Sequence, residues 1–112
     1  MTIREAAAML DAEILQNDFE DAPLMCAYTS DLLSDVMGNA KEGGALITIK
    51  AHKNTVAVAS LVNISVIILC NKRPVQDDDM LEAAKDEGIA VIRSKENQFT
   101  VSGKLYAAFQ SS

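Results

Sequence analysis

The amino-acid sequence predicts a single α/β domain with a mostly parallel β-sheet flanked by helices. From Leu24 onward, short apolar runs alternate with segments of helical periodicity, and the connections between them are short. The strongest run, Ser65–Cys70, is β-branched and continuous, which is typical of a central parallel strand. A length of 112 residues is that of one domain with its own core.

The first two elements precede this alternation. Residues Thr2–Asp11 carry apolar side chains at helical spacing, and Thr2 with Glu5 forms a capping box, so a helix is predicted there. Glu13–Gln16 is a weaker strand candidate. This strand could pair at the edge of the sheet or exchange between subunits, and the sequence leaves both open.

The next unit is a strand followed by a helix. Leu24–Tyr28 is apolar throughout and is predicted to be a strand buried on both faces. Ser30 and Asp31 are predicted to cap the helix that carries the apolar residues of 32–37, since their side chains accept hydrogen bonds from a first helical turn.

Ala45–Ile49 is the third predicted strand, and Asn54 or the residue before it is the expected cap of the next helix. That helix, Thr55–Asn63, is apolar on nearly all sides, so most of its surface must be covered. In so small a domain this predicts a partner surface. Its candidate interface residues are Val56, Val58, Leu61 and Val62.

The remaining units follow the same pattern. Gln76–Glu87 is predicted to be a solvent-facing helix that Gly88 ends, and Ile89–Arg93 is the last strand. The final helix opens at Glu96 or Asn97, and its aromatic and apolar residues lie near one face. They are Phe99, Leu105, Tyr106 and Phe109, while mid-helix Gly103 either permits close packing or weakens the helix.

Charge and cysteine content exclude several classes of function. A net charge of −6 disfavours binding to nucleic acid or to an anionic membrane. The chain begins without a signal-peptide pattern and its longest apolar run is too short to cross a bilayer, so we expect a cytoplasmic protein. The two cysteines, Cys26 and Cys70, are expected to be reduced, buried thiols, and an iron–sulfur cluster needs about four thiolates.

Candidate ligand residues lie where the predicted parallel strands end. Ligands of open parallel sheets bind beyond the carboxyl ends of the strands, where helix N-termini favour anions. A small molecule carrying phosphate or carboxylate fits this polarity. The lone His52 lacks a second ligand at metal spacing, and no catalytic residue, metal or cofactor is predicted. The candidates are Ser30, Asp31, His52, Asn54, Thr55, Asn71 and Arg73.

Two segments carry a family resemblance. Residues 27–38, Ala-Tyr-Thr-Ser-Asp-Leu-Leu-Ser-Asp-Val-Met-Gly, are similar to the strand–turn–helix of DRTGG-domain proteins. The tail from Gly88 to Tyr106 is similar as well, and the resemblance spans nearly the whole chain. It is strongest to short stand-alone members often found beside iron-only hydrogenase genes.

This resemblance implies a fold like that of the N-terminal domain of HPr kinase/phosphorylase, together with self-association. In larger relatives the domain is regulatory or structural rather than catalytic. The lettering that names the family is absent here, and Ala51–Asn54 and Asn71–Lys72 replace turns that are rich in glycine and threonine in many members. These replacements bear on any ligand that family members bind through those turns.

The leading hypothesis is a non-catalytic regulatory or accessory module that associates with itself. It would sense a small anionic metabolite or nucleotide, or dock to a redox enzyme such as a hydrogenase. One alternative is a small transferase-type enzyme that uses His52 or Asp31 at the strand ends. Another is a purely structural subunit of a larger complex.

Overall fold

A computed structural model describes residues 1–75 and 78–111 of the chain. It contains ten elements within those residues. In order they are α1 (Ile3–Met9), β1 (Glu13–Gln16), β2 (Cys26–Thr29), α2 (Leu33–Asn39), β3 (Gly44–Thr48), α3 (Lys53–Leu61), β4 (Val66–Leu69), α4 (Asp79–Glu87), β5 (Ala90–Arg93) and α5 (Gln98–Ser111). The first two residues of the predicted Gln76–Glu87 helix lie outside the described part.

The five strands form one sheet in the order β1-β5-β4-β3-β2. All neighbouring pairs are parallel except β1 and β5, which are antiparallel. This confirms the predicted mostly parallel sheet. Because β2, β3, β4 and β5 follow one another across the sheet, successive right-handed crossovers bring their connecting helices to the same face.

Each face of the sheet has its own hydrophobic core. One is covered by α2, α3 and α4, with Val36, Val56 and Met80 among its buried residues. The other is covered by α1 and α5, through Ile3 and Leu105. Strand β4 is fully buried on both faces, as its continuous apolar sequence predicts.

The amino-terminal helix confirms its predicted capping box. The Thr2 hydroxyl accepts a hydrogen bond from the Glu5 N–H at 3.2 Å, and the Glu5 carboxylate accepts one from the Thr2 N–H at 2.9 Å. These bonds to Thr2 lower the pKa of Glu5. Strand β1 pairs with β5 at one edge of the sheet.

The prediction that the second strand is buried on both faces is wrong. Strand β2 lies at the free edge of the sheet opposite β1. Its four residues alternate between half-buried and exposed. The error arises because a continuous apolar run indicates burial but cannot reveal that its strand is the first of the parallel series and has only one neighbour.

Two predicted helix caps also differ from the structure. Helix α2 begins after Leu32 without a side-chain cap, because Asp31 turns instead toward the end of β3. Helix α3 is capped by His52, whose Nδ1 accepts a hydrogen bond from the Asn54 N–H at 3.1 Å. The cap therefore lies one residue before the two positions that the sequence suggested.

The remaining helix ends agree with the sequence. Gly88 adopts a left-handed conformation (φ 68°) and ends α4. Asn97 opens α5, since its side-chain oxygen accepts the Thr100 N–H at 2.9 Å. Gly103 has open space where a Cβ would stand, so it does not serve close packing.

Helix α3 is covered largely by the chain itself. Val56 and Val58, two of the predicted interface residues, are buried in the core between α3, the sheet and the neighbouring helices. They are thus not available to a partner. Val62 is half-buried, and Leu61 is the exposed member of the predicted set, with 71% of its surface accessible.

Candidate functional site

The carboxyl ends of β3 and β4 frame a small open cavity, which we call the rim cavity. It measures about 370 Å³ and is lined by residues 49–52 together with Arg73 and Pro74. Two segments that are distant in sequence meet here because β3 and β4 are adjacent parallel strands. The structure thereby brings together His52 and Arg73 of the predicted ligand residues.

Charge is distributed unevenly around this cavity. The two flanking segments, residues 49–54 and 71–75, hold four of the ten lysines and arginines of the chain and none of its sixteen acidic residues. Lys50 and Arg73 line the cavity itself. Clustered cations favour the approach of small anions even on a chain with net charge −6.

Backbone strain places Arg73 over the cavity. Asn71 and Lys72 both have positive φ, 59° and 51°, a conformation that costs about 1–2 kcal/mol for a non-glycine residue. Their N–H groups are held by the carbonyls of Glu96 and Ser94, each at 2.8 Å. The tight turn directs the Arg73 side chain back toward β3, where its Nε donates to a backbone carbonyl.

The guanidinium of Arg73 uses one of its three nitrogen atoms in a hydrogen bond to a described residue. Its Nε donates to the Ile49 carbonyl at 3.2 Å, which anchors the side chain beside β3. The two Nη groups donate to no residue in the described part of the chain. Arginine offers a planar fork of N–H groups that matches phosphate and carboxylate oxygens.

His52 is oriented by its role as the α3 cap. Its Nδ1 accepts the Asn54 N–H, so the proton of the neutral ring resides on Nε2. Nε2 makes no hydrogen bond to a described residue, and the His52 side chain lines the rim cavity. His52 also marks the start of α3, whose positive dipole end favours negative charge nearby.

Asp31 is a structural anchor and does not line the cavity. Its Oδ1 accepts hydrogen bonds from the Thr48 hydroxyl at 2.8 Å and the Ile49 N–H at 2.9 Å, and Gln98 donates to both of its oxygens. Partial burial alone would raise its pKa. The hydrogen bonds and the positive charge of Arg73 together outweigh burial and lower the pKa of Asp31.

The other predicted ligand residues lie away from the cavity or have side chains that are hydrogen-bonded to the backbone. Thr55 is buried, and its hydroxyl donates to the Lys50 carbonyl at 2.8 Å. The Ser30 hydroxyl accepts the Leu32 N–H. Asn54 faces a separate depression between α3 and α4, and Asn71 contributes its strained backbone.

Sequence reasoning missed Lys50 as a lining residue. Its position directly after a buried strand was the available signal, because residues that follow parallel strands converge at one edge of the sheet.

A second and larger cavity lies between the free edge strand and the last helix. This β2–α5 groove measures about 590 Å³ and is lined mainly by Met25, Ala27, Phe99, Tyr106 and Phe109. At one end of it the Thr29 and Ser102 hydroxyls are hydrogen-bonded at 2.7 Å. The sequence indicated an aromatic face on α5 but not that this face would lie beside an exposed strand.

The two thiols differ in their surroundings. Cys70 is buried beneath the end of β4, and burial, with a smaller contribution from Asp31, raises its pKa to about 11. Cys26 is half-buried on the edge strand, so the predicted burial holds for Cys70 alone.

Among residues 1–75 and 78–111, no three His, Cys, Asp or Glu side chains are grouped closely enough to hold a metal ion. No helix within those ranges is long and apolar enough to cross a bilayer.

Comparison with solved structures identifies a regulatory region with the same fold. The chain is similar to the crystal structure of the CBS and DRTGG domains of the regulatory region of a Clostridium perfringens pyrophosphatase, complexed with its activator diadenosine tetraphosphate. The TM-score is 0.73 at 17% sequence identity, over 93% of this chain and 45% of that chain. The protein thus spans less than half of the length of that region. The sequence matches no protein-family model and no curated protein.

Proposed function

We propose that this protein is a DRTGG-related, non-catalytic regulatory module that binds a small anionic ligand, such as a nucleotide, in the rim cavity. The observation that carries the proposal is the lining of this cavity. Lys50, His52 and Arg73 meet there, and neither flanking segment contains an acidic residue.

The cavity offers the groups that a phosphate requires. The Nη groups of Arg73 supply a bidentate fork, Lys50 supplies a mobile point charge, and Nε2 of His52 supplies a single donor. The start of α3 adds the positive end of a helix dipole. A volume of about 370 Å³ lies in the usual range for small-molecule sites.

The solved relative in fold supports a regulatory function. That region belongs to the regulatory part of a pyrophosphatase and was crystallised with an activating dinucleotide. The present chain matches 45% of that region, and an anionic effector is the ligand with which the region was crystallised. For the present chain we propose the ligand class and not that particular dinucleotide.

The side chains at the rim favour binding over catalysis. The carboxylate of Asp31 already accepts hydrogen bonds from Thr48, Ile49 and Gln98, so it is a poor base for a substrate. His52 is held by its capping bond. We further propose that the module associates with itself and docks to a redox-enzyme partner in the cytoplasm, in line with the family resemblance.

Thermal-shift measurements with defined probes test the ligand proposal. The probes are ATP, diadenosine tetraphosphate and inorganic phosphate, each titrated into the purified chain. A ligand at a hundred times its dissociation constant stabilises a protein by about 2.7 kcal/mol, which is a readily measured rise in Tm. Raising the salt concentration should weaken the effect, since the attraction is largely electrostatic.

Two variants locate the binding. Arg73→Ala should abolish the stabilisation by ligand, because it removes the fork of donors. Lys41→Ala removes a cation before the amino end of β3, the end opposite to the rim cavity, and should leave the stabilisation unchanged. Absence of any shift with all three probes, or equal shifts in wild type and Arg73→Ala, would contradict the proposal.

A further inference from the structure

The β2–α5 groove exposes large apolar and aromatic side chains, which are usually buried. Met25 is 72% exposed, Phe99 is 87% exposed and Tyr106 is 68% exposed. Helix α5 buries Val101 and Leu105 against the sheet and contacts β2 through the Thr29–Ser102 hydrogen bond, while Ala27 of β2 stays exposed. Exposed apolar surface grouped around one cavity is typical of an interaction site, whereas isolated exposed apolar residues are ordinary.

The two edges of the sheet differ in how they are protected. Strand β1 has a register irregularity between Ile14 and Gln16, and Glu13 on this strand forms an ion pair with Arg93. Bulges and charges of this kind discourage pairing with another chain. Strand β2, Cys26–Thr29, contains no charged residue and no proline, so its free edge can accept another strand.

The uncharged lining of the groove favours contact between two copies of this acidic chain. Among the described residues that line the groove, none is Asp, Glu, Lys or Arg. Two copies of a chain with net charge −6 repel each other over most of their surfaces. At this face they can meet without placing like charges opposite one another, which is destabilising across paired strands.

We propose that the β2–α5 groove is the contact surface for a second copy of this chain. A two-fold axis would pair β2 antiparallel with the same strand of the partner subunit and extend the sheet across both copies. The projecting Phe99 and Tyr106 of each copy would then cover the other copy's groove. This inference rests on the self-association in the proposed function and assigns it a surface.

The available area suits such a contact. A stable interface buries about 800 Å² on each partner. Phe99 and Tyr106 together offer roughly 300 Å² of aromatic surface. Met25, Ala27 and the backbone of β2 lie beside them along the groove and add to this face. Helix α3 offers less, because Val56 and Val58 are already buried in the chain's own core.

The test measures mass as a function of concentration by sedimentation velocity, from about 1 to 200 µM, a range that brackets typical dissociation constants of weak dimers. The full chain is compared with Phe99→Glu and Ala27→Lys. Both residues are exposed, so the variants should fold, and circular dichroism and Tm confirm it. Leu61→Glu on α3 is the matched control, since Leu61 is also an exposed apolar residue.

We expect wild type and Leu61→Glu to sediment at about twice the chain mass of 12.0 kDa, with both groove variants monomeric and their dissociation constants raised at least a hundredfold. A monomeric wild type would overturn the proposal and assign the groove to another protein. A dimer that survives both groove variants, or that only Leu61→Glu disrupts, would overturn it as well. Thermal shifts with ATP on Phe99→Glu, whose rim cavity is intact, report the ligand proposal separately.

Discussion

Asp31 should be a major contributor to stability, and its removal provides a sharp test of the site's architecture. The carboxylate joins the end of β3 to the start of α5 through Thr48, Ile49 and Gln98. A hydrogen bond contributes about 1 kcal/mol net, and bonds to charged groups more, although partial exposure reduces the gain. For Asp31→Ala we expect a loss of about 3 kcal/mol, and for Asp31→Asn, which keeps one acceptor, about 1 kcal/mol.

Urea denaturation followed by circular dichroism measures these losses. The exposed Glu20 makes no side-chain hydrogen bond to a described residue, so Glu20→Gln is the control for removal of one negative charge. In a domain of this size a loss of 3 kcal/mol lowers Tm by roughly 10 °C. A loss below about 0.5 kcal/mol for Asp31→Ala would refute the assignment of Asp31 as an anchor.

The pH dependence adds a second check on the same residue. Folding lowers the pKa of Asp31, so the ionised form stabilises the folded state. This contribution is fully present above the unfolded value of about 4 and is lost as pH falls through the lower folded value. The difference in stability between wild type and Asp31→Asn should therefore shrink below about pH 4. A difference that stays constant from pH 7 to pH 2 would contradict the argument.

Three further outcomes follow from local geometry. Titration with a thiol reagent at pH 8 should modify Cys26 in the folded protein and Cys70 only after unfolding. The Cys70 thiol is buried, and its pKa is raised to about 11. Equal reactivity of the two thiols in the folded protein would contradict this. Gly103→Ala should stabilise the protein by about 0.5–1 kcal/mol, since nothing occupies the space of its Cβ and glycine weakens a helix. Gly44→Ala should cost about 1–3 kcal/mol, because its Cβ would lie 2.8 Å from Cys26 Sγ and 3.1 Å from backbone oxygens. Chemical denaturation measures both glycine variants, and a destabilised Gly103→Ala or a neutral Gly44→Ala would refute the packing described.

The fold could be predicted largely because its strands and helices carry strong local signals. The continuous β-branched run around Val66–Leu69 identified the central strand, and the capping box at Thr2 and the left-handed Gly88 marked helix ends. The edge position of β2 could not be predicted. Its apolar sequence is the same whether it is covered by a neighbouring strand or by another molecule, and strand order is a property of the whole chain.

The candidate site was predicted in part, for a related reason. Position after a parallel strand correctly brought His52 and Arg73 to one edge, because topology alone fixes that convergence. Side-chain direction is not encoded in position. The Asp31 carboxylate accepts the Ile49 N–H, and the Thr55 hydroxyl donates to the Lys50 carbonyl. Both side chains therefore stabilise the fold and do not face the rim cavity.

The most direct test of the ligand proposal is a map of where ligand binds. Backbone amide shifts of isotope-labelled protein, recorded by NMR during titration with ATP, report each residue separately. We expect saturable shifts concentrated at residues 50–54 and 71–73, around the rim cavity, and their loss in Arg73→Ala. No shifts at millimolar ATP, or shifts confined to the β2–α5 groove, would contradict the account.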